Sequence, residues 1–386
     1  MIPPYGASQL IDNIISDQDL DDAVDSQETR LLLSDSELDV CNRIADGSLT
    51  PLNGFMTRED VISVIHESRL SNGLYYPVPI IQSIPKSIYD SRPDKIIITD
   101  QTNTPLGYLD VTDYYTLELQ SLCQPLFGTN SSEHPGVIKF TSQSEYLVAG
   151  KIMMVKPRGN LNERCMSPQQ IRAEIKSRSL GTVTAFHTRN VPHLGHEYLQ
   201  RMALEITDGL LVHPIVGWKK EGDYTSEAVL RAYKFLCDEY YPAEQVILSG
   251  LKIATFYAGP REAPWHAIIR QNFGCSHIVI GRDHAGVGGF YGPDEAHKLV
   301  MTVQDDLAIR ALKVMGPYYC RKCGMVVTSR TCGHDLEDKE DISGTSIREA
   351  ISGDSAIPSH LVRSDLIEHM LEIPEVFISG GFDDGN

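Results

Sequence analysis

The stretch His187-Thr188-Arg189-Asn190-Val191-Pro192-His193-Leu194-Gly195-His196 decides how the chain is read. Before it, Thr182–Phe186 reads as a short strand. After it, Glu197–Asp208 reads as a helix, with Leu199, Met202, Ala203 and Ile206 forming one apolar stripe at helical spacing. The stretch is therefore a strand-to-helix turn. His193 and His196 are three apart and share a face in the first turn of the helix, beside unpaired backbone N–H groups and the positive end of the helix dipole. Gly195, between them, lets a bulky ligand approach the backbone. Arg189 adds a fixed cation whose forked donors match a tetrahedral oxyanion. Together these residues make an anion trap suited to a triphosphate. A bare His-x-x-His beside a proline more often only caps a helix; its position after a strand and next to Arg189-Asn190 favours the functional reading.

Outward from this turn the rhythm is regular. Ser167-Pro168-Gln169-Gln170 starts a helix, with Ser167 as N-cap and Pro168 in the first turn. Leu210–Val216 reads as a strand, Ser226–Glu239 as a helix, Gln245–Leu251 as a strand, Trp265–Asn272 as a helix and His277–Ile280 as a strand. Such alternation predicts a parallel sheet covered on both faces, with ligands outside the carboxyl ends of its strands. From about Arg30 to Lys156 the chain is instead strand-rich. Tyr76–Ile84, Lys95–Thr99, Gly107–Val111, Val137–Phe140 and Ile152–Val155 carry β-branched and aromatic residues, and Asn103–Gly107 reads as a hairpin turn. The acidic residues up to Glu28 read as a loosely held arm or an exposed helix. From about Met315 a small third module follows. The expected fold is thus α/β: a β-rich, barrel-like N-terminal domain (1–165), a Rossmann-like nucleotide-binding domain (166–314) and a small α+β module (315–386).

The 386 residues carry a formal charge of −18, which disfavours a nucleic-acid coat but not small anions held in a local basic pocket. No stretch is long and apolar enough to span a bilayer. The first basic residue is Arg30, so the N-terminus reads neither as a secretory signal nor as a transit helix, and the expectation is a cytoplasmic protein without membrane partners. Five of eight cysteines are scattered and read as buried small hydrophobes, whereas Cys320, Cys323 and Cys332 cluster. Cys320-x-x-Cys323 followed by Cys332 and His334 is a four-ligand set of the kind that holds a structural zinc ion. The alternatives are free thiols or a redox pair. His277 and His266 read as structural histidines, and Lys219 and Lys220 as a charged loop about as readily as a phosphate contact.

Two further blocks narrow the chemistry. The His193-x-Gly195-His196 form resembles the signature of the large nucleotidylyltransferase group that includes class I aminoacyl-tRNA synthetases, which implies attack on a nucleotide α-phosphate. Tyr257-Ala258-Gly259-Pro260-Arg261-Glu262-Ala263 precedes the helix at Trp265, and Gly281-Arg282-Asp283-His284-Ala285-Gly286 follows the next strand. The second of these offers backbone N–H groups to an anion with Arg282 alongside. With Leu49-Thr50-Pro51-Leu52-Asn53-Gly54-Phe55-Met56, the block from His213 to Asp223, and Ile342–Arg348, the sequence resembles the ATP sulfurylase family over residues 49–348.

That resemblance implies ATP and sulfate as substrates, adenylyl sulfate and pyrophosphate as products, Mg²⁺ accompanying ATP, and a homodimer or higher homo-oligomer. It implies that Arg189 and the N–H of Ala285 bind sulfate, joined by His187. It places Thr188, Arg189, Asn190, His193 and His196 at the reaction centre. The nucleotide would be held by His187 through Asn190, by His193 and His196, and by Gly281, Arg282, Asp283 and His284, with Val326 packing on adenine. The sequence departs from the family in having His187 where Gln is usual, and Val191-Pro192 where the proline usually comes first. No Gly-x-x-x-x-Gly-Lys-Ser/Thr loop occurs, so no kinase activity is expected. Two alternatives remain: another nucleotidylyltransferase with a phosphorylated acceptor, or a zinc-knuckle binding protein with a dead core.

Overall fold

Sheet order explains why the space beside the His187–His196 turn is the place for a ligand. The computed structural model describes residues 1–159, 161, 164–217, 221–342, 344–352 and 359–378. Lys219, Lys220 and Ser343 of the sequence motifs lie outside these residues, as do the side chains of Thr345 and Ser346.

Among the described residues the N-terminal sheet contains β1 (Ile14–Ile15), β2 (Arg30–Leu32), β3 (Gly54–Phe55), β4 (Gln82–Ser83), β5 (Lys95–Thr99), β6 (Pro105–Thr116) and β7 (Tyr146–Val155), ordered β1-β7-β6-β5-β2 with β3 and β4 also on β7. The hairpin from β5 to β6 turns where the sequence predicts. Asp100 Oδ1 accepts from the backbone N–H of Thr102 and Thr104, at 2.9 Å each, and Asn103 adopts a left-handed φ of 65°. The acidic segment is a helix, Asp17–Ser26, capped by Ser16 and seated on Leu20 and Ala23.

Two strand expectations fail here. Val137–Phe140 lies inside a helix, Pro135–Thr141. His134 caps it, its Nδ1 accepting from the Val137 N–H at 3.3 Å, and Pro135 fits the first turn; these local signals outweigh the β-branched composition. Over Tyr76–Ile84 only Gln82–Ser83 pairs, with β7, because Pro77 and Pro79 bring no N–H to a ladder.

The central sheet contains β8 (Val183–Thr188), β9 (Gly209–Val216), β10 (Val246–Leu248), β11 (Leu251–Lys252), β12 (His277–Ile280) and β13 (Arg310–Lys313), in the order β10-β9-β8-β12-β13. All its pairs are parallel. The strand expected over Gln245–Leu251 is interrupted at Ser249-Gly250, so β10 and β11 pair separately with β9. The helix Pro168–Ser177 carries the expected Ser167 cap, reinforced by Gln170. The chain winds outward from β8 through β9 to β10, then returns to the other side of β8 for β12 and β13. The direction reverses between β8 and β12, and a crevice opens at their carboxyl ends.

One face of the central sheet shares a continuous buried core with the N-terminal sheet, including Ile44, Ile65, Tyr76, Trp265, Ile268 and Ile278. Polar staples reinforce it. The Arg261 guanidinium donates to the carbonyls of Val64, Ile65, Pro77 and Pro125 at 2.9–3.2 Å. Asn272 Nδ2 donates to the carbonyls of Ser48 and Thr50. The opposite face packs Phe186, Val212, Val229 and Tyr233 against Ile347, Leu366 and Met370 of two C-terminal helices, Gly344–Ile351 and Ser364–Leu371. Of the expected apolar stripe, Leu199 and Ala203 are buried, but Ile206 faces solvent. A third, antiparallel sheet, β15 (Met325–Val327), β14 (Tyr318–Cys320) and β16 (Lys339–Asp341), has a small apolar cluster of its own. No helix among the described residues is long and apolar enough to cross a membrane.

Candidate active site at the β8–β12 crevice

β8 ends in His187-Thr188, and the turn 189–193 leads into the helix Leu194–Ile206. Across the crevice β12 ends at Ile280 and the loop 281–286 follows. Between them lies a cavity of about 360 Å³, lined by His187, Thr188, Arg189, Asn190 and His196 from one side and by all six residues of 281–286 from the other. Sequence reasoning from the two motifs therefore converges on one space. Glu262 and His266 also line it, from the helix Glu262–Asn272. Glu262 has no separate signal in the sequence, where His266 reads as a structural histidine.

The turn after β8 is closed by its own side chains. Thr188 Oγ1 accepts from the Asn190 N–H at 3.2 Å, which leaves Arg189 and Asn190 exposed on the cavity rim. His193 is the N-cap of the following helix: its Nδ1 accepts from the His196 N–H at 3.2 Å, and the two rings stack with centroids 3.7 Å apart. His196 is the member of the pair that lines the cavity; its Nδ1 lies 3.3 Å from the Tyr233 hydroxyl. Gly195 serves packing as well as access, since a Cβ there would come within 3.0 Å of Ile342 and 3.1 Å of the His193 ring. Burial pulls His196 down to about 4, and burial and His196 hold His193 well below the usual histidine range. Both rings are neutral donors or acceptors at pH 7.

On the facing side, Asp283 and Ala285 both adopt left-handed φ values, 58° and 57°. Non-glycine residues hold that conformation at a cost, which concentrates at functional loops. Asp283 N–H is tied to the Pro293 carbonyl at 2.7 Å and Gly286 N–H to the Asp283 carbonyl, while the Ala285 N–H has no protein acceptor. Among the described residues the N–H groups of Gly281, Arg282 and His284 also lack a protein acceptor, so the loop presents several free backbone donors, that of Ala285 included, and the Arg282 guanidinium.

The cavity floor is a histidine cluster. His187 stacks on His266 at 4.1 Å between centroids, and His266 Nδ1 lies 2.9 Å from His284 Nε2. Buried Glu262 accepts from the Ala258 N–H at 3.1 Å, with its other oxygen 3.7 Å from His266 Nε2. Burial, with neighbouring cations, holds His187 and His266 well below the usual range and His284 at about 3, while burial raises Glu262. Chemically, the crevice offers neutral imidazoles, two exposed guanidinium groups and free backbone N–H groups around a space large enough for part of a nucleotide and a tetrahedral anion.

Comparison with known proteins supplies the relationship. The ATP-sulfurylase family model matches residues 162–373, and a PUA-like domain model matches residues 2–157. A sulfate adenylyltransferase of Hyperthermus butylicus is 40% identical over 382 residues, 98% of this chain and 97% of that protein. The chain belongs to the ATP sulfurylase family. Another such relative, from Persephonella marina, is 35% identical over 96% of this chain and 98% of its own. Among solved structures, a hexameric APS kinase from Thiobacillus denitrificans superposes with a TM-score of 0.74 at 20% identity, over 96% of this chain and 68% of that one, a likeness of fold.

In this ATP sulfurylase family member the remaining expected residues divide. Val326 does not line the cavity; it lies on β15, which packs beside the helix Leu194–Ile206. His277 is structural, bonded to Ser276 at 2.9 Å. Cys320, Cys323, Cys332 and His334 do converge. The three sulfurs lie 3.3, 3.3 and 3.5 Å from His334 Nδ1, and Cys323 Sγ lies 3.7 Å from Cys332 Sγ, too far for a disulfide.

Proposed function

We propose that this chain is a sulfate adenylyltransferase: a sulfate oxygen attacks the α-phosphorus of MgATP in line, the bond to pyrophosphate breaks, and adenylyl sulfate is formed reversibly. Sulfate is fully ionised, so no general base is required. What must be supplied is the approach of two anions and stabilisation of the charge that shifts onto phosphate oxygens. Arg189, His187 and the Ala285 N–H hold sulfate. His196 and Arg282 face the phosphates, with His193 fixing His196 by its stack. Thr188, Asn190, Gly281, Asp283 and His284 complete the nucleotide side. The observation that carries this reading is that donors of the 187–190 turn and the 281–286 loop face each other across one cavity in a member of this family.

The test is pyrophosphate release from MgATP with and without sulfate. Sulfate-dependent release, and futile AMP formation when molybdate replaces sulfate, are expected. No release on either anion rejects the reading.

Zinc is the proposed occupant of the Cys3His cluster. A tetrahedral ion with Zn–S near 2.3 Å and Zn–N near 2.0 Å requires S···S of about 3.8 Å and S···N of about 3.5 Å. The observed separations fit both. All four ligands belong to protein, so such an ion would support the small sheet and take no part in the reaction. The proposed domain limits are 1–165, 166–314 and 315–386. A homo-oligomer working in the cytoplasm is likewise proposed, the latter in keeping with eight unpaired cysteines.

A further inference from the structure

His187, His266 and His284 come from three different elements, and their ring nitrogens lie within 4.8 Å of one another. Such a trio invites a metal ion, but hydrogen-bond accounting excludes His187 as a ligand. Arg270 is fully buried, and its Nη2 lies 2.9 Å from His187 Nδ1. A guanidinium has donors and no acceptor. Nδ1 of His187 is therefore the acceptor, and in a neutral ring the single hydrogen sits on Nε2. Ligation through Nε2 would demand loss of that hydrogen too, and Nδ1 is already taken. The bond is also hard to give up: among the described residues Nε and Nη1 of Arg270 find no partner, and Nη2 has besides His187 only the His213 carbonyl at 3.5 Å.

We infer that Arg270 locks His187 in the Nε2–H tautomer, so that His187 offers the sulfate pocket a donor and never an acceptor, and thereby favours oxyanions without a hydroxyl over hydrogen phosphate. The inference rests on the sulfate reading above. Sulfate has four acceptor oxygens and no hydrogen. The phosphate dianion carries one P–O–H that needs an acceptor. A histidine free to exchange tautomers would provide one at little cost; His187 cannot. Other acceptors line the cavity, among them the second oxygen of Glu262, the amide of Asn190, the hydroxyls of Thr188 and Tyr257 and the exposed carboxylate of Asp283. The discrimination is therefore local to the one oxygen that His187 faces, where a hydroxyl cannot sit, and a phosphate must turn its hydroxyl toward another wall. Arg189 and Arg282 are donors only, and His213, the cross-strand partner of His187 on β9, is fully buried and does not line the cavity. A glutamine at position 187 would satisfy the same demands: its amide oxygen would accept from Arg270 and its NH₂ would face the pocket.

Two measurements on the full chain test this. In ¹⁵N-histidine-labelled protein, with the His187 resonances assigned by their loss in His187→Gln, the Nε2–H tautomer is expected and should persist from pH 6 to 8. An Nδ1–H tautomer or an imidazolium overturns the lock. In the sulfate-dependent pyrophosphate assay, Arg270→Met keeps the volume and removes the donors. It should tighten inhibition by inorganic phosphate about threefold relative to the KM for sulfate, with the KM for MgATP within about twofold, while Arg270→Lys restores discrimination. Equal weakening of sulfate and phosphate would make Arg270 merely structural and overturn the selectivity claim. If Arg270→Met does not fold, the tautomer spectrum of the unaltered chain and Arg270→Lys decide. Absence of sulfate-dependent release in the unaltered chain would reject the sulfate reading, and with it the selectivity, while leaving the tautomer to the spectrum.

Discussion

Glu197 and Arg363, 166 residues apart, meet through two parallel hydrogen bonds of 2.8 Å between carboxylate and guanidinium. Glu197 is buried and directly follows His196. Next to this pair the Leu194 N–H donates to the Leu361 carbonyl at 2.8 Å. The C-terminal segment therefore grips the first turn of the helix that carries both site histidines.

Breaking this grip should cost stability and rate together. Arg363→Met leaves the buried carboxylate with only the more distant Arg201, 3.7 Å away, which should cost about 2–3 kcal/mol and lower Tm by roughly 3 °C. Adding Glu197→Gln should recover part of the loss, because no charge is then stranded. Thermal melts of the two variants check this; equal melting points would mean that the pair is not coupled.

His196→Ala should reduce kcat by about 100-fold or more while the KM for MgATP changes by less than about threefold. Steady-state kinetics at saturating sulfate give the answer. Unchanged turnover would remove His196 from the reaction.

Acid should destabilise the chain well before its carboxylates titrate. In the unfolded chain histidines bind protons near pH 6.5. In the folded chain burial holds His196 at about 4, His284 at about 3, and His187, His193, His213 and His266 well below the usual range. Below pH 6.5 the unfolded state therefore binds more protons, and stability falls as pH falls until the folded-state values are reached. By pH 5 each such histidine withdraws up to about 2 kcal/mol. Asp39, Asp46 and Glu262, raised by burial, offset part of this. A drop in Tm of more than about 10 °C between pH 7.5 and 5 is expected; a flat profile would mean that the rings are protonated in the native state.

Elemental analysis should find about one zinc per chain. Cys323→Ser or strong chelation should release it and sharply raise hydrogen exchange over 318–341, with a smaller effect on the central sheet. The reason is local: the apolar cluster of this sheet is only Tyr318, Cys320 and Val327, with Cys332 packed on it, too little to hold it without the ion. Unchanged exchange after metal loss would refute this dependence.

The order of strands and helices from Pro168 to Ile280 was legible because periodicity, caps and β-branched runs agree there. The N-terminal region was less so. Pro77 and Pro79 undo a run that looks like a strand, and a His134-Pro135 start makes a helix of β-branched residues. Within the site, Arg189, His196 and Ala285 stand in motifs whose chemistry is local. Glu262, Arg270 and Arg363 act through partners that only the fold supplies, so nothing in their own neighbourhood announces them. His266 reads as a satisfied structural histidine, but its place in the cavity wall and its partner, His284, come from another element and are not legible in the sequence. Val326, expected on adenine only by resemblance, lies on β15 and is not among the residues that line the cavity.

Arg261 ends on four carbonyls of the N-terminal region, contributed by Val64, Ile65, Pro77 and Pro125, and it immediately precedes Glu262 in the cavity wall. The two regions are thus mated parts rather than interchangeable ones. A chimera that exchanges residues 1–165 with those of a relative would inherit a differently shaped socket, and a full complement of active-site side chains would not rescue it. Grafts should be cut so that the arginine and its four carbonyls travel together.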